Sequence, residues 1–303
     1  MDAVVTTRHL TKRFGPTVAV DNLDLEVAAG GVFGLLGPNG AGKTTFLRLC
    51  VGLLRPTDGH VEVLGVDATA RPDDVQSRTG YLPGTFTAYG NLTARAYLAY
   101  LASLRGGVDP DVVAGIAERL ELDLDRRIDT LSHGNRQKVG ITQAFMNSPE
   151  LLVLDEPTSG LDPLMQREFL AMVREAAAAG RSVVLSSHIL TEVEAVADTV
   201  AILRHGRLVT LDTVDNLKAR AVRRIDVMFS GPPPLDTLAG IEGVREVHGG
   251  PTSAHLVVEG HLAPLIRALA PLDVADLVTH EVDLGEIFLA AYDDASSPAG
   301  VED

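Results

Sequence analysis

Apolar and polar positions follow two different patterns along the first two thirds of the chain. Residues 4–10 and 23–27 alternate between apolar and polar types, which predicts strands with one buried face. Residues 32–36, 151–154 and 183–185 are almost continuously apolar, as strands buried on both faces of a parallel sheet are. This part of the chain therefore supplies strands of two kinds.

Helix-like segments lie between and after these strands. Their apolar side chains recur every three or four residues, which is the spacing of one helix face. They cover residues 45–51, 94–104, 112–122, 135–146 and 165–179. Strands that alternate with helices predict an α/β fold, in which a mostly parallel sheet carries helices on its faces.

The pattern changes near residues 212–224. The following segments indicate strand, helix, strand, strand, helix and strand over residues 224–230, 234–241, 244–248, 255–259, 262–269 and 274–280. This β-α-β-β-α-β order is typical of the split ferredoxin-like unit. We therefore predict one domain at residues 1–212 and a small α+β domain at residues 213–292 that ends in a helix. We expect the acidic tail at residues 293–303 to be disordered.

The amino-acid composition limits the classes of partner that the chain is expected to bind. The chain of 303 residues has a formal net charge of −15, which argues against nucleic acid or anionic lipid as its main partner. Its single cysteine, Cys50, allows no disulfide within the chain and suits a reducing cytosol. No apolar run approaches the roughly 20 residues that cross a bilayer. We expect any membrane role to depend on a partner protein.

Residues 37–44 read GPNGAGKT and fit the phosphate-binding pattern G-x-x-x-x-G-K-[ST], between an apolar strand and a helix. Glycines allow successive backbone N–H groups to face one anion, and the next helix presents its positive end. Lys43 adds a charge for the terminal phosphates, and the Thr44 hydroxyl can ligate Mg²⁺. The residues expected to bind the nucleotide here are Gly37, Pro38, Asn39, Gly40, Ala41, Gly42, Lys43, Thr44 and Thr45.

Two carboxylates follow the buried strand at residues 151–154. Asp155 ends a rigid strand, so it can meet the magnesium shell opposite Thr44. Glu156 lies one residue further, near the place of an attacking water, which a carboxylate can orient or deprotonate. His188 directly follows another buried strand, at the edge where α/β sheets present catalytic groups.

Together these motifs resemble the ATP-binding subunit of ABC transporters. Residues 131–135, LSHGN, are similar to the LSGGQ signature of this family, and residues 159–162 are similar to its D-loop. Phe14 matches the aromatic residue that stacks on adenine. The LSHGN variant and the residues after the first domain look most like the drug-resistance (daunorubicin-type) exporter branch. The implied fold is a P-loop NTPase of the ABC ATPase type, with a helical subdomain at about residues 85–147.

The resemblance also implies a dimer and its ligands. In this family ATP and Mg²⁺ bind between the phosphate loop of one copy and the signature of the other. Since the chain has one complete set of motifs, a homodimer with two equal sites is implied. Glu156 would then be the base, His188 the switch histidine and Lys43 a phosphate ligand. Ser132, Gly134, Asn135 and Asp162 would contribute to the nucleotide site.

The chain departs from the family pattern at three positions. Gly84 stands where the family usually has a glutamine that reaches magnesium and contacts the membrane subunit. A water, Thr85 or backbone would have to replace it. His133 replaces a signature glycine; it could donate to the γ-phosphate or face solvent, and we favour a structural role for it. Asn135 keeps the amide of the usual glutamine and shortens its reach.

The predicted function is an ATPase that powers export of a drug-like or lipophilic substrate. A separate polytopic membrane subunit would form the substrate pathway, so the chain would lie in the cytoplasm on the inner face of the cell membrane. One alternative is a soluble ABC ATPase that acts on ribosomes or DNA, although this chain lacks a second ATPase domain and is acidic. Another is a regulatory nucleotide-binding module, which the presence of Glu156 and His188 disfavours.

Overall fold

The computed structural model describes residues 3–220 and 222–280. The chain divides into two compact units, with the division between Leu211 and Asp212. Within the described residues, no helix has both the length and the apolar character needed to cross a membrane. The predicted helix at residues 283–292 and the tail at residues 293–303 lie outside the described residues.

The first unit consists of strands and helices in alternation. In chain order its elements are β1 (Ala3–Phe14), β2 (Thr17–Ala28), β3 (Gly31–Leu36), α1 (Lys43–Cys50), β4 (Asp58–Val63), β5 (Val66–Asp67), α2 (Pro72–Arg78), β6 (Thr79–Leu82), α3 (Ala94–Leu104), α4 (Pro110–Arg119), a 3-10 turn (Ile128–Thr130), α5 (His133–Phe145), β7 (Leu151–Asp155), α6 (Pro163–Ala178), β8 (Ser182–Ser187), α7 (Leu190–Glu194), β9 (Thr199–Arg204) and β10 (Arg207–Thr213).

A six-stranded sheet forms the centre of this unit, in the order β10-β9-β3-β8-β7-β6. The five strands from β9 to β6 pair in parallel. Every residue of β7 and β8 is buried, as their continuous apolar or small side chains predict. The predicted α/β fold with a mostly parallel sheet is therefore confirmed. Because these strands are parallel, their carboxyl ends share one edge, where the candidate site lies.

A second sheet has the order β2-β1-β4-β5 and antiparallel pairs. Its buried side chains, such as Val5 and Leu25, join one apolar cluster with Phe46 of α1 and Val153 of β7. The helix that follows the phosphate loop is thus fixed between two sheets. Cys50 belongs to this cluster, and burial raises the pKa of its thiol.

Helices α3, α4 and α5 form the helical segment between β6 and β7. The helix predicted at residues 112–122 is Pro110–Arg119 in the structure, because Asp109 accepts a hydrogen bond from the amide of Asp111 and starts the helix earlier. Similarly, the Ser132 side chain caps α5, which begins at His133 and not at residue 135 as predicted. Capping side chains therefore decide both helix starts.

The second unit begins with α8 (Val214–Arg220), followed by β11 (Val222–Phe229), α9 (Leu235–Ala239), β12 (Val244–Gly249), β13 (Ser253–Glu259), α10 (Ala263–Leu269) and β14 (Val274–Thr279). Its strands form an antiparallel sheet in the order β12-β13-β11-β14. After α8 the elements have the β-α-β-β-α-β order of a split ferredoxin-like unit. Side chains such as Ile225, Val227 and Leu256 fill its apolar core. Asp226 and His255 lie on the opposite face of the same strands.

Candidate functional site

The predicted phosphate loop connects the carboxyl end of β3 to the first residue of α1. Gly42 occupies the position before α1 with φ of 105°, a conformation that favours glycine. A Cβ added at Gly42 would lie 2.3 Å from the carbonyl oxygen of Ala19, so a larger residue would collide with backbone. No side chain caps this helix start. Its first N–H groups are therefore available to an anion.

Lys43 is 5% exposed and lies beneath this loop. Its ammonium donates to the carbonyl oxygen of Gly37 at 2.5 Å and contacts that of Pro38 at 3.4 Å. The same Nζ lies 3.2 Å from Oε1 of Glu156. A buried charge on the phosphate loop is thus paired with the carboxylate that the sequence assigns to water activation.

Asp155 ends β7 and is fully buried. Ser186 of the neighbouring strand β8 donates its hydroxyl to Oδ1 at 2.7 Å. Oδ2 has no hydrogen-bond partner among the described residues. A buried carboxylate oxygen without a partner requires compensation, and an oxygen ligand of this kind fits a hard cation such as Mg²⁺.

Gly84 lies beside this same oxygen. A Cβ added at Gly84 would be 3.1 Å from Oδ2 and 3.3 Å from Cγ of Asp155. The position at which the family usually has glutamine is therefore adjacent to the candidate magnesium ligand. Because glycine has no side chain, this chain offers no amide beside the carboxylate at this position.

Glu156 adopts a left-handed backbone conformation, with φ of 47°. This conformation costs a residue other than glycine about 1–2 kcal/mol, so surrounding contacts must maintain it. Its amide donates to the carbonyl oxygen and the hydroxyl of Ser186, at 3.2 and 3.1 Å. Its side chain places Oε2 2.6 Å from Nδ1 of His188, while Oε1 faces Lys43. One carboxylate thus joins the phosphate loop to the histidine after β8.

The predicted signature lies at the start of α5. Ser132 accepts a hydrogen bond from the amide of Asn135 at 3.3 Å. A Cβ added at Gly134 would lie 2.4 Å from the carbonyl oxygen of Gly160, and one added at Gly160 would lie 2.3 Å from Cδ2 of His133. The imidazole that replaces a signature glycine therefore packs on the predicted D-loop. A structural role for His133 stays a prediction.

Asp162 ends the D-loop and caps α6. It accepts hydrogen bonds from the amides of Leu164 and Met165, both at 3.0 Å. These bonds, chiefly that from Met165, hold the pKa of its carboxyl below the ordinary value. Within one chain, then, the geometry gives Asp162 a helix-capping role.

The structure brings Lys43, Asp155, Glu156 and His188 together at one edge of the central sheet. Among the described residues, no hydrogen bond or ion pair joins the signature residues to residues 37–45. Phe14 is 49% exposed, with Nζ of Lys12 5.2 Å from its ring centre. The polar groups of the signature and the aromatic ring of Phe14 are thus free to contact molecules outside the chain.

Sequence reasoning missed two residues of this site. Gln137 is buried on α5 and donates to the carbonyl oxygen of Pro157 at 3.0 Å. Ser186 is buried and contacts both Asp155 and Glu156, as described above. The only sequence signal for Gln137 is a polar residue on the buried side of a helix. For Ser186 it is a hydroxyl within a buried apolar strand.

A phosphate loop between strand and helix, opposite a buried strand that ends in two carboxylates, defines a P-loop nucleotide-binding protein. A family model described as "ABC transporter" matches residues 20–159. The daunorubicin resistance ATP-binding protein DrrA3 of Streptomyces coeruleorubidus is 34% identical over 308 residues, covering 95% of each chain. The chain therefore belongs to the ABC transporter family and carries its ATP-binding domain. The predicted family is confirmed.

Two further comparisons set the extent of this likeness. The probable multidrug ABC transporter ATP-binding protein YbhF of Escherichia coli is 35% identical over 225 residues, which are 73% of this chain. The matched region spans 39% of YbhF. The solved structure of an ATP-binding subunit of an ABC transporter superposes with a TM-score of 0.66 and 29% identity, over 71% of this chain and 92% of that chain.

Proposed function

We propose that this chain is an ATP-hydrolysing subunit that powers export of a drug-like or lipophilic substrate through a separate membrane subunit. The observation that carries the proposal is the carboxylate of Glu156, which lies between Lys43 of the phosphate loop and His188. A base, a cation for phosphate and a histidine within one hydrogen-bonded group can together serve phosphoryl transfer to water.

Each residue then has a distinct task. Lys43 and the amides of the phosphate loop bind the terminal phosphates of ATP. Glu156 exchanges its contact with Lys43 for one with water, and accepts the proton of that water during attack. The ring of His188 holds the carboxylate in place, because Nδ1 donates to Oε2.

Thr44 and Asp155 are the residues that would hold Mg²⁺. The ion would supply charge neutralisation at the phosphate oxygens. The unpaired, buried Oδ2 of Asp155 supports this assignment, since the described residues provide it with no other partner. Gly84 contributes no side-chain ligand, so this shell depends on Thr44, Asp155 and water more than the usual family pattern does.

A second copy would complete the site. Ser132 and the amides at the start of α5 have no ligand from their own phosphate loop among the described residues. A helix start of this kind favours an anion. We infer that it binds the γ-phosphate held by the second copy, which makes the chain a homodimer with two equal sites.

The membrane subunit would dock on an apolar groove of about 220 Å³ beside α3 and the end of α1. Leu53 and Leu104 line it with 54% and 65% of their surfaces exposed, and Tyr100 is exposed nearby on α3. Exposed apolar side chains that lie together around one groove can form the centre of a protein–protein contact. The chain would thus act in the cytoplasm, on the inner face of the cell membrane.

The first experiment measures nucleotide binding and Mg²⁺-dependent phosphate release by the purified full chain. Lys43→Ala is expected to lose nucleotide binding. Arg71→Ala, which removes an exposed cation paired with Asp74 at 3.4 Å, is the control and should behave as wild type. Retained ATP affinity in Lys43→Ala would contradict the assignment of the loop.

The second experiment tests the partner. A tagged chain should co-purify with a polytopic membrane protein from detergent-solubilised cells, and Leu104→Glu should reduce this recovery without changing ATP binding. Recovery of ribosomes or DNA and no membrane protein would favour the soluble ABC ATPase and overturn the transport assignment.

A further inference from the structure

Gln137 connects the start of α5 to the segment that carries Glu156. Its side chain is 1% exposed. Nε2 lies 3.0 Å from the carbonyl oxygen of Pro157 and 3.5 Å from that of Glu156. Two carbonyl oxygens can only accept hydrogen bonds, so the amide must turn its NH₂ group toward them. The donor half of Gln137 therefore contacts the two peptide units at and after Glu156.

The acceptor half of the same amide is left without a partner. Among the described residues no donor reaches Oε1 of Gln137, although this atom is buried. A buried acceptor without a hydrogen bond lowers stability, and an apolar side chain of similar size would avoid that loss. The amide at this position therefore uses only its donor half, and that donor has a specific target.

That target is a backbone under strain. Glu156 has the positive φ described above, and its amide is held by Ser186 from β8. Gln137 holds the carbonyl side of the same residue and the next one from α5. Glu156 is thus fixed from both sides by side chains that take no part in binding its carboxylate.

We propose that Gln137 is a positioning residue for Glu156. Its NH₂ group holds the backbone of Glu156 and Pro157, so that the carboxylate points toward the attacking water. Gln137 lies in the second turn of the helix that begins at the signature. An ATP bound by the second copy at that helix start is therefore linked, through one helix and one amide, to the base of this chain. The inference rests on the proposed ATPase function.

The test compares matched substitutions on one helix in the full chain. Gln137→Met keeps the side-chain length and removes the donor, and it should lower kcat by about tenfold to a hundredfold while KM for ATP changes by less than about twofold. Gln143→Met makes the same change two turns later, where the amide accepts from Tyr97 Oη at 2.8 Å. We expect this control to retain the wild-type kcat.

The pH dependence of kcat distinguishes a positioning role of Gln137 from a role in packing alone. Gln137→Glu keeps the shape, but its carboxyl group can donate only when protonated. Its kcat relative to wild type should therefore rise as the pH is lowered while the chain is still folded at every pH compared, whereas a merely structural role predicts a loss of kcat that follows the thermal midpoint measured at each pH. If Gln137→Met does not fold, this profile decides the question.

The outcomes also separate this inference from the proposed function. A wild-type chain that hydrolyses ATP, together with wild-type kcat in Gln137→Met and an unchanged pH profile in Gln137→Glu, would overturn the positioning role alone. Equal losses of kcat in Gln137→Met and Gln143→Met would also overturn it. A wild-type chain that binds no ATP would overturn the proposed function itself.

Discussion

Replacing Ser186 by alanine should lower both stability and turnover, because one hydroxyl serves both carboxylates. Ser186 Oγ donates to Asp155 Oδ1 at 2.7 Å and accepts from the Glu156 amide at 3.1 Å. After Ser186→Ala, the fully buried Asp155 has no hydrogen-bond partner at either carboxylate oxygen among the described residues. The left-handed backbone of Glu156 also loses one of its contacts.

The magnitude follows from these two bonds. A hydrogen bond to a charged group contributes about 1.5–3 kcal/mol. The second bond contributes less than about 1 kcal/mol, because the Glu156 amide keeps the Ser186 carbonyl oxygen at 3.2 Å. We expect the free energy of unfolding to fall by about 2–4 kcal/mol, which lowers the thermal midpoint of a domain of this size by about 5–15 °C.

The assay is thermal unfolding without nucleotide, followed by Mg²⁺-dependent ATP hydrolysis below the transition. Ser182→Ala is the control, since Ser182 lies at the other end of β8, where its hydroxyl accepts from the amide of Gly30 at 2.9 Å. This control should lose about 1 kcal/mol and no turnover. We expect Ser186→Ala to lose about tenfold or more in kcat, because both carboxylates lose their support.

Two results would refute this reasoning. One is a Ser186→Ala chain with the wild-type thermal midpoint, which would mean that Asp155 gains nothing from the hydroxyl. The other is an equal loss of turnover in Ser182→Ala and Ser186→Ala, which would assign the effect to the strand as a whole and not to the two carboxylates.

Three further predictions concern other parts of the chain. Gly160→Ala should lower kcat for two reasons: the left-handed backbone of Gly160, with φ of 77°, disfavours alanine, and the methyl group would meet the His133 ring. His133→Gly should restore only the part of the loss due to the ring, and additive effects in a double-mutant cycle would argue against this contact. Hydrogen bonds from two histidines hold the pKa of Asp226 below its ordinary value. Asp226 therefore adds to the free energy of unfolding above about pH 4, and this contribution disappears as the pH falls through the lower folded-state pKa. In Asp226→Asn, the free energy of urea unfolding should lose this pH dependence, a change of less than about 1 kcal/mol. An unchanged pH dependence would contradict it. Since burial raises the pKa of the Cys50 thiol, a thiol reagent should label Cys50 only after unfolding, and full labelling of the folded chain would contradict the packing of α1.

The sequence predicted several elements whose pattern is local, although the apolar run of β9 was not recognised. Strands β7 and β8 have continuous buried residues, so their apolar runs were sufficient. Strand β10 alternates between partly buried and exposed residues and has no such run, and β6 has only four residues. Neither was predicted, because pairing with neighbours decides their state. The predicted start of α4 at residue 112 differs from the observed start at Pro110, because the cap from Asp109 was not recognised in the sequence.

In the candidate site, too, residues in local motifs could be predicted, whereas residues whose role depends on tertiary packing could not. Lys43 and Glu156 belong to short motifs, and the structure places them in contact. Ser186 and Gln137 act on residues 31 and 20 positions away, respectively, so their roles depend on how strands and helices pack. The left-handed conformation of Glu156 is likewise a result of those contacts, since no glycine or asparagine indicates it in the sequence.

ATP binding and hydrolysis by the Glu156→Gln variant report directly on whether Glu156 is the base. The amide keeps the size of the side chain but cannot accept the proton of water. We expect hydrolysis to fall by about a hundredfold or more, ATP still to bind, and the ATP-bound chain to elute as a dimer. Hydrolysis at the wild-type rate in this variant would contradict the assignment of Glu156 as the base.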